Sequence, residues 1–90
     1  MAAESKHPWK SLEQAPIGEK LVVVKVHPSP ISEDWQQRLE EIGFIPGEPV
    51  ELMRRGFPGN DPLVVRIGLS TFALRRVEAA CIEVFAKENV

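Results

Sequence analysis

The chain has 90 residues and a formal net charge of −2, with 43% hydrophobic and 27% charged residues. That length suits one small domain with a modest core and little room for a large buried site, and the acidic balance argues against a general nucleic-acid binder, which carries a basic surplus. A single cysteine, Cys81, excludes an internal disulfide framework and fits a reducing compartment, and no apolar run approaches the roughly 20 residues of a membrane helix.

Residues 1–10 are polar and aperiodic and lack the apolar segment of a secretory signal, so they read as a flexible tail with Trp9 free to tuck back. A cytoplasmic location is the expectation that remains. Ser11 and Gln14 have capping-box spacing, which predicts a single helical turn over 11–15, stopped by Pro16. Residues 21–26 are dominated by β-branched side chains and predict a first strand, with Val22, Val24 and Val26 on one face and Val23, Lys25 and His27 on the other. Pro28-Ser29-Pro30 ends it.

Ser32 suits a helix N-cap, and Glu33 and Asp34 fall where the helix dipole favours negative charge. The helix is expected to run to Ile42, with Trp35, Leu39 and Ile42 along one stripe and Gln36, Gln37, Glu40 and Glu41 facing solvent. Gly43 then falls at C′, where φ > 0 is cheap only for glycine. Leu39 and Phe44 take the C3 and C″ positions of a Schellman motif. Pro46-Gly47 supplies the two central residues of a type II turn. Leu39, Gly43, Phe44, Pro46 and Gly47 thus form one structural signature: helix, stop, turn, strand.

The second strand is expected over 49–55, with Val50 and Leu52 on one face and Glu51, Met53 and Arg55 on the other. Residues 56–62 read as a loop by composition, and 63–67 as the third strand. Gly68 suggests a bulge or a close contact, Ser70-Thr71 a turn, and 72–74 a short fourth strand. One helical or 3₁₀ turn fits 75–80, and residues 81–85 close the sheet as a fifth strand before a polar end. The fold class is therefore mainly β with a short helix: a small barrel of about five strands, one helix between strands 1 and 2, occupying residues 11–86 between tails at 1–10 and 87–90.

The order of the motifs carries more than any one of them. Ser11-Leu12, then Pro16-Ile17-Gly18-Glu19, precede the valine strand. Arg38-Leu39, Ile42-Gly43-Phe44 and Pro46-Gly47 come next, followed by Asp61-Pro62-Leu63, Arg66-Ile67-Gly68 and Phe72-Ala73-Leu74-Arg75. This series resembles the FeoA family, the small ferrous iron transport protein A of bacteria, over most of the chain. The resemblance implies an SH3-like β-barrel, a cytoplasmic accessory role in ferrous iron uptake, and a protein partner. That partner is the membrane permease with an N-terminal GTP-binding domain, ferrous iron transport protein B. The same fold occurs as the C-terminal domain of iron-dependent repressors, which suggests an alternative as a metal-responsive or nucleic-acid-binding barrel, but no helix-turn-helix segment precedes the barrel here.

No Ser/His/Asp set, phosphate-cradling loop or GxxxxGK[ST] points to an enzyme. Cys81 reads as a small core hydrophobe. No CxxC, HxH or HExxH occurs, so no cofactor is required. His27 and Glu51 are the residues expected to share a surface divalent cation, zinc or iron, if both point outward from neighbouring strands. Tyrosine is absent and basic and aromatic residues do not interleave, so no nucleic acid is expected. Arg54, Arg55 and Phe57, around the second loop, are the candidate partner contacts, because arginine and aromatic side chains anchor interfaces. A monomer or weak homodimer is expected.

Overall fold

The computed structural model describes residues 9–29, 32–57, 59 and 61–87. The tails expected at 1–10 and 87–90 lie largely outside them, as do Pro30, Pro58 and Asn60. A 3₁₀ turn (Leu12–Gln14) leads to β1 (Leu21–Val26), α1 (Asp34–Glu41), β2 (Pro49–Arg55), β3 (Leu63–Ile67), β4 (Ser70–Leu74), α2 (Arg76–Ala79) and β5 (Ile82–Ala86). The strands form one antiparallel sheet in the order β4-β3-β2-β1-β5. The sheet curls into a barrel without closing edge to edge, and α2 joins its two outer strands. The free edge of β5 is partly covered by the incoming chain: the Val84 N–H donates to the Lys10 carbonyl at 2.9 Å, and Ser11 bridges to Glu83.

The helix stop has the expected geometry. The Phe44 N–H reaches the Leu39 carbonyl at 3.0 Å and the Gly43 N–H reaches that of Glu40 at 3.1 Å, the two bonds of a Schellman motif, with Gly43 at φ +124°. The Glu48 N–H then closes the Pro46-Gly47 turn on the Ile45 carbonyl at 3.1 Å. The turn is also pinned to β1, since the Gly47 N–H donates to the Val23 carbonyl (2.8 Å) and the Val23 N–H donates to that of Glu48 (2.9 Å). At the helix start the Ser32 hydroxyl accepts from the Asp34 N–H at 3.2 Å. Gln36 holds the other flank of α1, donating from Nε2 to the Val26 carbonyl at 2.9 Å.

Two β-bulges change which side chains face inward. Val23 pairs with Val84 and Lys25 with Glu83, so Val24 is the extra residue in β1. Leu21, Val23 and Val26 are buried, Val22 is half-buried and Val24 is exposed. The expected apolar face of Val22, Val24 and Val26 is therefore wrong, because the bulge resets the alternation midway. In β2, Leu52 pairs with Val65 and Arg54 with Val64, leaving Met53 as the extra residue. Val50 and Leu52 are buried as expected, but beyond the bulge Arg55 partners the buried Leu63 and turns to the inner side.

Three local expectations are also corrected. The reversal between β3 and β4 is at Gly68-Leu69, because Ile67 pairs directly with Ser70, so Ser70 and Thr71 belong to the strand. The fifth strand begins at Ile82 rather than Cys81. Ser11 does not cap with its side chain; the Gln14 N–H goes to the Ser11 carbonyl oxygen at 3.1 Å instead.

The core joins Leu12, Leu21, Val23, Leu39, Phe44, Leu52, Val65 and Ile82 with the remaining inward strand residues. Phe44 is the largest side chain with no exposed surface. Burying it contributes on the order of 2–3 kcal/mol in transfer alone, and the cavity left by truncation adds to that. Phe44→Ala is therefore expected to cost about 3–5 kcal/mol, whereas Phe57→Ala, at 94% exposure, should stay within about 0.5 kcal/mol of the parent. Paired denaturant melts check this, and equal losses at the two phenylalanines would contradict the burial.

Candidate functional site

The β2–β3 loop projects from one end of the barrel. The Gly56 N–H closes its base on the Pro62 carbonyl at 2.7 Å. A Cβ at residue 56 would lie 2.6 Å from that same oxygen, so the closure admits only glycine. Phe57 follows this closure directly and is 94% exposed, and Arg54 is exposed near the end of β2. Arg55 is placed differently. Its guanidinium donates to the Glu13 carbonyl at 2.8 Å and the Ala15 carbonyl at 3.1 Å, fastening the 3₁₀ turn to the sheet. Of the three candidate contacts, Arg54 and Phe57 are exposed and Arg55 is tied to the 3₁₀ turn.

The base of this loop also meets α2. Asp61 Oδ1 accepts from the Arg76 N–H at 3.0 Å, and Glu78 Oε1 accepts from the Arg75 N–H at 2.8 Å, so carboxylates satisfy the opening N–H groups of the short helix. The Arg76 guanidinium pairs with Glu13 at 3.3 Å. A shallow cleft between loop, 3₁₀ turn and α2 is lined by Glu13, Asp61, Arg76, Val77 and Ala80, and Val77 is 45% exposed. Sequence reasoning missed this cleft. The signal was the pairing of Asp61-Pro62-Leu63 with Ala73-Leu74-Arg75, whose physical content is Asp61 reaching the start of α2.

His27 and Glu51 are not brought together. Glu51 lies near the start of β2 and pairs with Lys20 at 3.7 Å, while His27 follows Val26 at the far end of β1. A six-residue strand spans about 20 Å, too far for a shared ion. His27 instead donates from Nε2 to Glu83 Oε1 at 2.8 Å, and Trp9 stacks on its ring with centroids 3.6 Å apart and planes 9° off parallel. Glu83 escaped the sequence reading because it is distant along the chain and only the β1–β5 register brings it close. Among the described residues no group of three or more His, Cys, Asp or Glu side chains is placed to hold a metal ion.

Cys81 is buried at the end of α2, its Sγ donating to the Val77 carbonyl at 3.5 Å. Burial pushes its thiol above the ordinary value, with Glu78 adding to the rise and a hydrogen bond from Ser29 opposing it. Among the described residues no helix is long and apolar enough to cross a membrane.

The curled five-stranded sheet, with its helix after β1 and its short helix before β5, is an SH3-like barrel. The FeoA domain model matches residues 10–85, and the chain belongs to the FeoA family. It is similar to FeoA of Stenotrophomonas maltophilia, solved with zinc, at 34% identity and a TM-score of 0.76, over 84% of this chain and 89% of that one. It is also similar to iron(II) transport protein A of Clostridium thermocellum, at 30% identity and a TM-score of 0.74, over 86% of this chain and 45% of that one. A manganese-dependent transcriptional repressor shares the fold at 20% identity and a TM-score of 0.71, over 96% of this chain and 48% of the repressor. No curated protein matches the chain in sequence.

Two substitutions separate holding from presenting. Arg55→Ala strands two carbonyl acceptors and should lower stability by about 1.5–3 kcal/mol, whereas Arg54→Ala should change it by less than about 0.5 kcal/mol. Thermal melts of the two variants decide, and similar small effects would remove the fastening role of Arg55. A raised pKa means less thiolate at a given pH, so Cys81 in the native protein should alkylate with iodoacetamide more slowly at pH 8 than in urea. Equal rates would show that the thiol is not held back by its surroundings.

Proposed function

We propose that this FeoA-family barrel is a cytoplasmic accessory protein of ferrous iron uptake, binding the GTP-binding region of a ferrous iron permease and modulating it. The carrying observation is the family match across residues 10–85. The S. maltophilia relative, described as a prokaryotic SH3-domain protein and a candidate ferrous iron transport activating factor, supports the same role. The barrel interior is filled by side chains, so an activity built on the outside suits it better than one needing a deep pocket. No catalytic step and no resident cofactor enter this reading. A surface cation at His27 would find Glu83, not Glu51, as its carboxylate neighbour.

Arg54 and Phe57 are the contacts of this reading, with Arg55 holding the loop's base in position. Occupancy of the permease by the loop would favour whichever conformation of the GTP-binding region it fits better, and so shift the populations. The test is a binding titration against the isolated GTP-binding domain and the full cytoplasmic region, with and without nucleotide. Saturable binding weakened about tenfold by Phe57→Ala is expected, a loss typical of an aromatic anchor. Absence of saturable binding to either partner form would overturn the proposal.

A further inference from the structure

A second surface is written on the outer face of the sheet by its register. Leu21, Val50 and Ile67 point into the core, so the residues flanking them point out. The Lys87 N–H donates to the Lys20 carbonyl at 3.0 Å, Lys20 pairs with Glu51, Glu51 lies opposite Arg66, and Arg66 lies opposite Thr71. One row thus crosses the barrel as Lys87, Lys20, Glu51, Arg66, Thr71. Next to it runs an apolar row, because Val22 partners Phe85 on one side and Pro49 on the other. Phe85 is 60% exposed. A cavity of about 180 Å³ opens in this face, lined among others by Lys20, Pro49, Glu51, Arg66, Gly68 and Lys87.

The charges here do not balance. Three cations surround Glu51, which pairs with Lys20 alone; a second carboxylate, Glu48, reaches the rim at Gly68, its Oε1 3.6 Å from where a Cβ there would sit, and neither Arg66 nor Lys87 has an ion-pair partner among the described residues. In a chain of net charge −2 this is a local surplus of the opposite sign. An apolar strip beside unpaired cations is a surface complementary to a segment carrying both acidic and apolar side chains.

We propose that this face binds an extended acidic peptide segment of a partner protein, its carboxylates taken by Lys87 and Arg66 and an apolar side chain laid on Val22 and Pro49. Lys87 and Arg66 are three strands apart, about 14 Å, and carboxylates four residues apart in an extended chain span about the same distance and point the same way. The residue between them passes over Glu51 and is uncharged, because a third carboxylate would meet like charge there. Nucleic acid fits less well. Its evenly spaced phosphates would meet Glu51, and the apolar row offers one exposed ring for stacking. The face lies at the opposite end of the β2–β3 hairpin from Phe57, so the permease reading and this one stand or fall separately.

The probe is the capped peptide Glu-Ser-Leu-Ser-Glu, with Gln-Ser-Leu-Ser-Gln as control, titrated into ¹⁵N-labelled protein and followed by amide chemical shifts. Saturable shifts are expected at Lys20, Val22, Glu51, Arg66, Phe85 and Lys87. Arg66→Glu combined with Lys87→Glu should weaken binding at least about tenfold. Glu51→Gln, which removes the competing carboxylate, should tighten it, an effect that damage to the fold would not produce. Phe57→Ala should leave it unchanged. Equal response to the glutamine peptide, shifts confined to other residues, or weaker binding in Glu51→Gln would each overturn the proposal. So would shifts at this face that appear only with an oligonucleotide or with anionic phosphatidylserine vesicles.

Discussion

Everything in this barrel hangs on how the chain leaves α1. Helix stop, turn and strand start occupy the stretch from Leu39 to Pro49, and their bonds are mutually dependent. The Phe44 N–H closes on the Leu39 carbonyl while its ring is buried, and the turn that follows exchanges two hydrogen bonds with Val23. The pairing of β2 with β1 is brief, covering Leu21 with Val50 and Val22 with Pro49. Those two bonds from the turn therefore extend a short ladder and fix its register. A slip of one residue would send Val50 and Leu52 outward and Glu51 inward. Because β3 pairs with β2 and β4 with β3, their registers follow from the same point.

The bulges add a second level of control. Without the extra residue at Met53, strict alternation would put Arg55 on the outer face with Glu51. With it, Arg55 sits opposite buried Leu63 and its guanidinium reaches the carbonyls of Glu13 and Ala15. A long cation is thereby spent on the backbone of the incoming chain, while Arg54 next to it stays exposed. The bulge at Val24 does the corresponding thing in β1, keeping Val26 in the core near α1 while Lys25 pairs with Glu83. Two insertions thus decide which charges are structural and which are presented.

What was legible in the sequence was local. Gly43, Phe44, Pro46 and Gly47 act through bonds spanning a few residues, and the strands of β-branched side chains declare themselves by composition, so these positions read correctly from the chain alone. Register between distant segments left no such mark. Nothing in residues 21–27 announces a bulge at Val24, and nothing near His27 points to Glu83, 56 residues away. The β3–β4 reversal was misplaced for a related reason: Ser70 and Thr71 have turn-like composition, but Gly68-Leu69 gives the two-residue connection that pairs Ile67 with Ser70. The expected partnership of His27 with Glu51 failed because neighbouring strands do not imply neighbouring ends. The cleft at Asp61 and Arg76 was present in the sequence only as a pair of motifs without a contact.

The distribution of charge follows from the same geometry. Helix α1 is bound to the end of β1 at Val26 and carries Asp34, Glu40 and Glu41 on exposed positions against a single arginine, Arg38. Lys20, Lys87 and Arg66 gather around the opposite end of β1, where β5 ends and β2 begins. A net charge of −2 therefore conceals an acidic helix and, about the length of a strand away, three cations set among the carboxylates of Glu48 and Glu51. Local charge of this kind acts on the rate and specificity of association more than on final affinity. With a core this small filling the interior, the barrel's chemistry is confined to its surfaces, and the register that packs the core also decides which charges each surface shows.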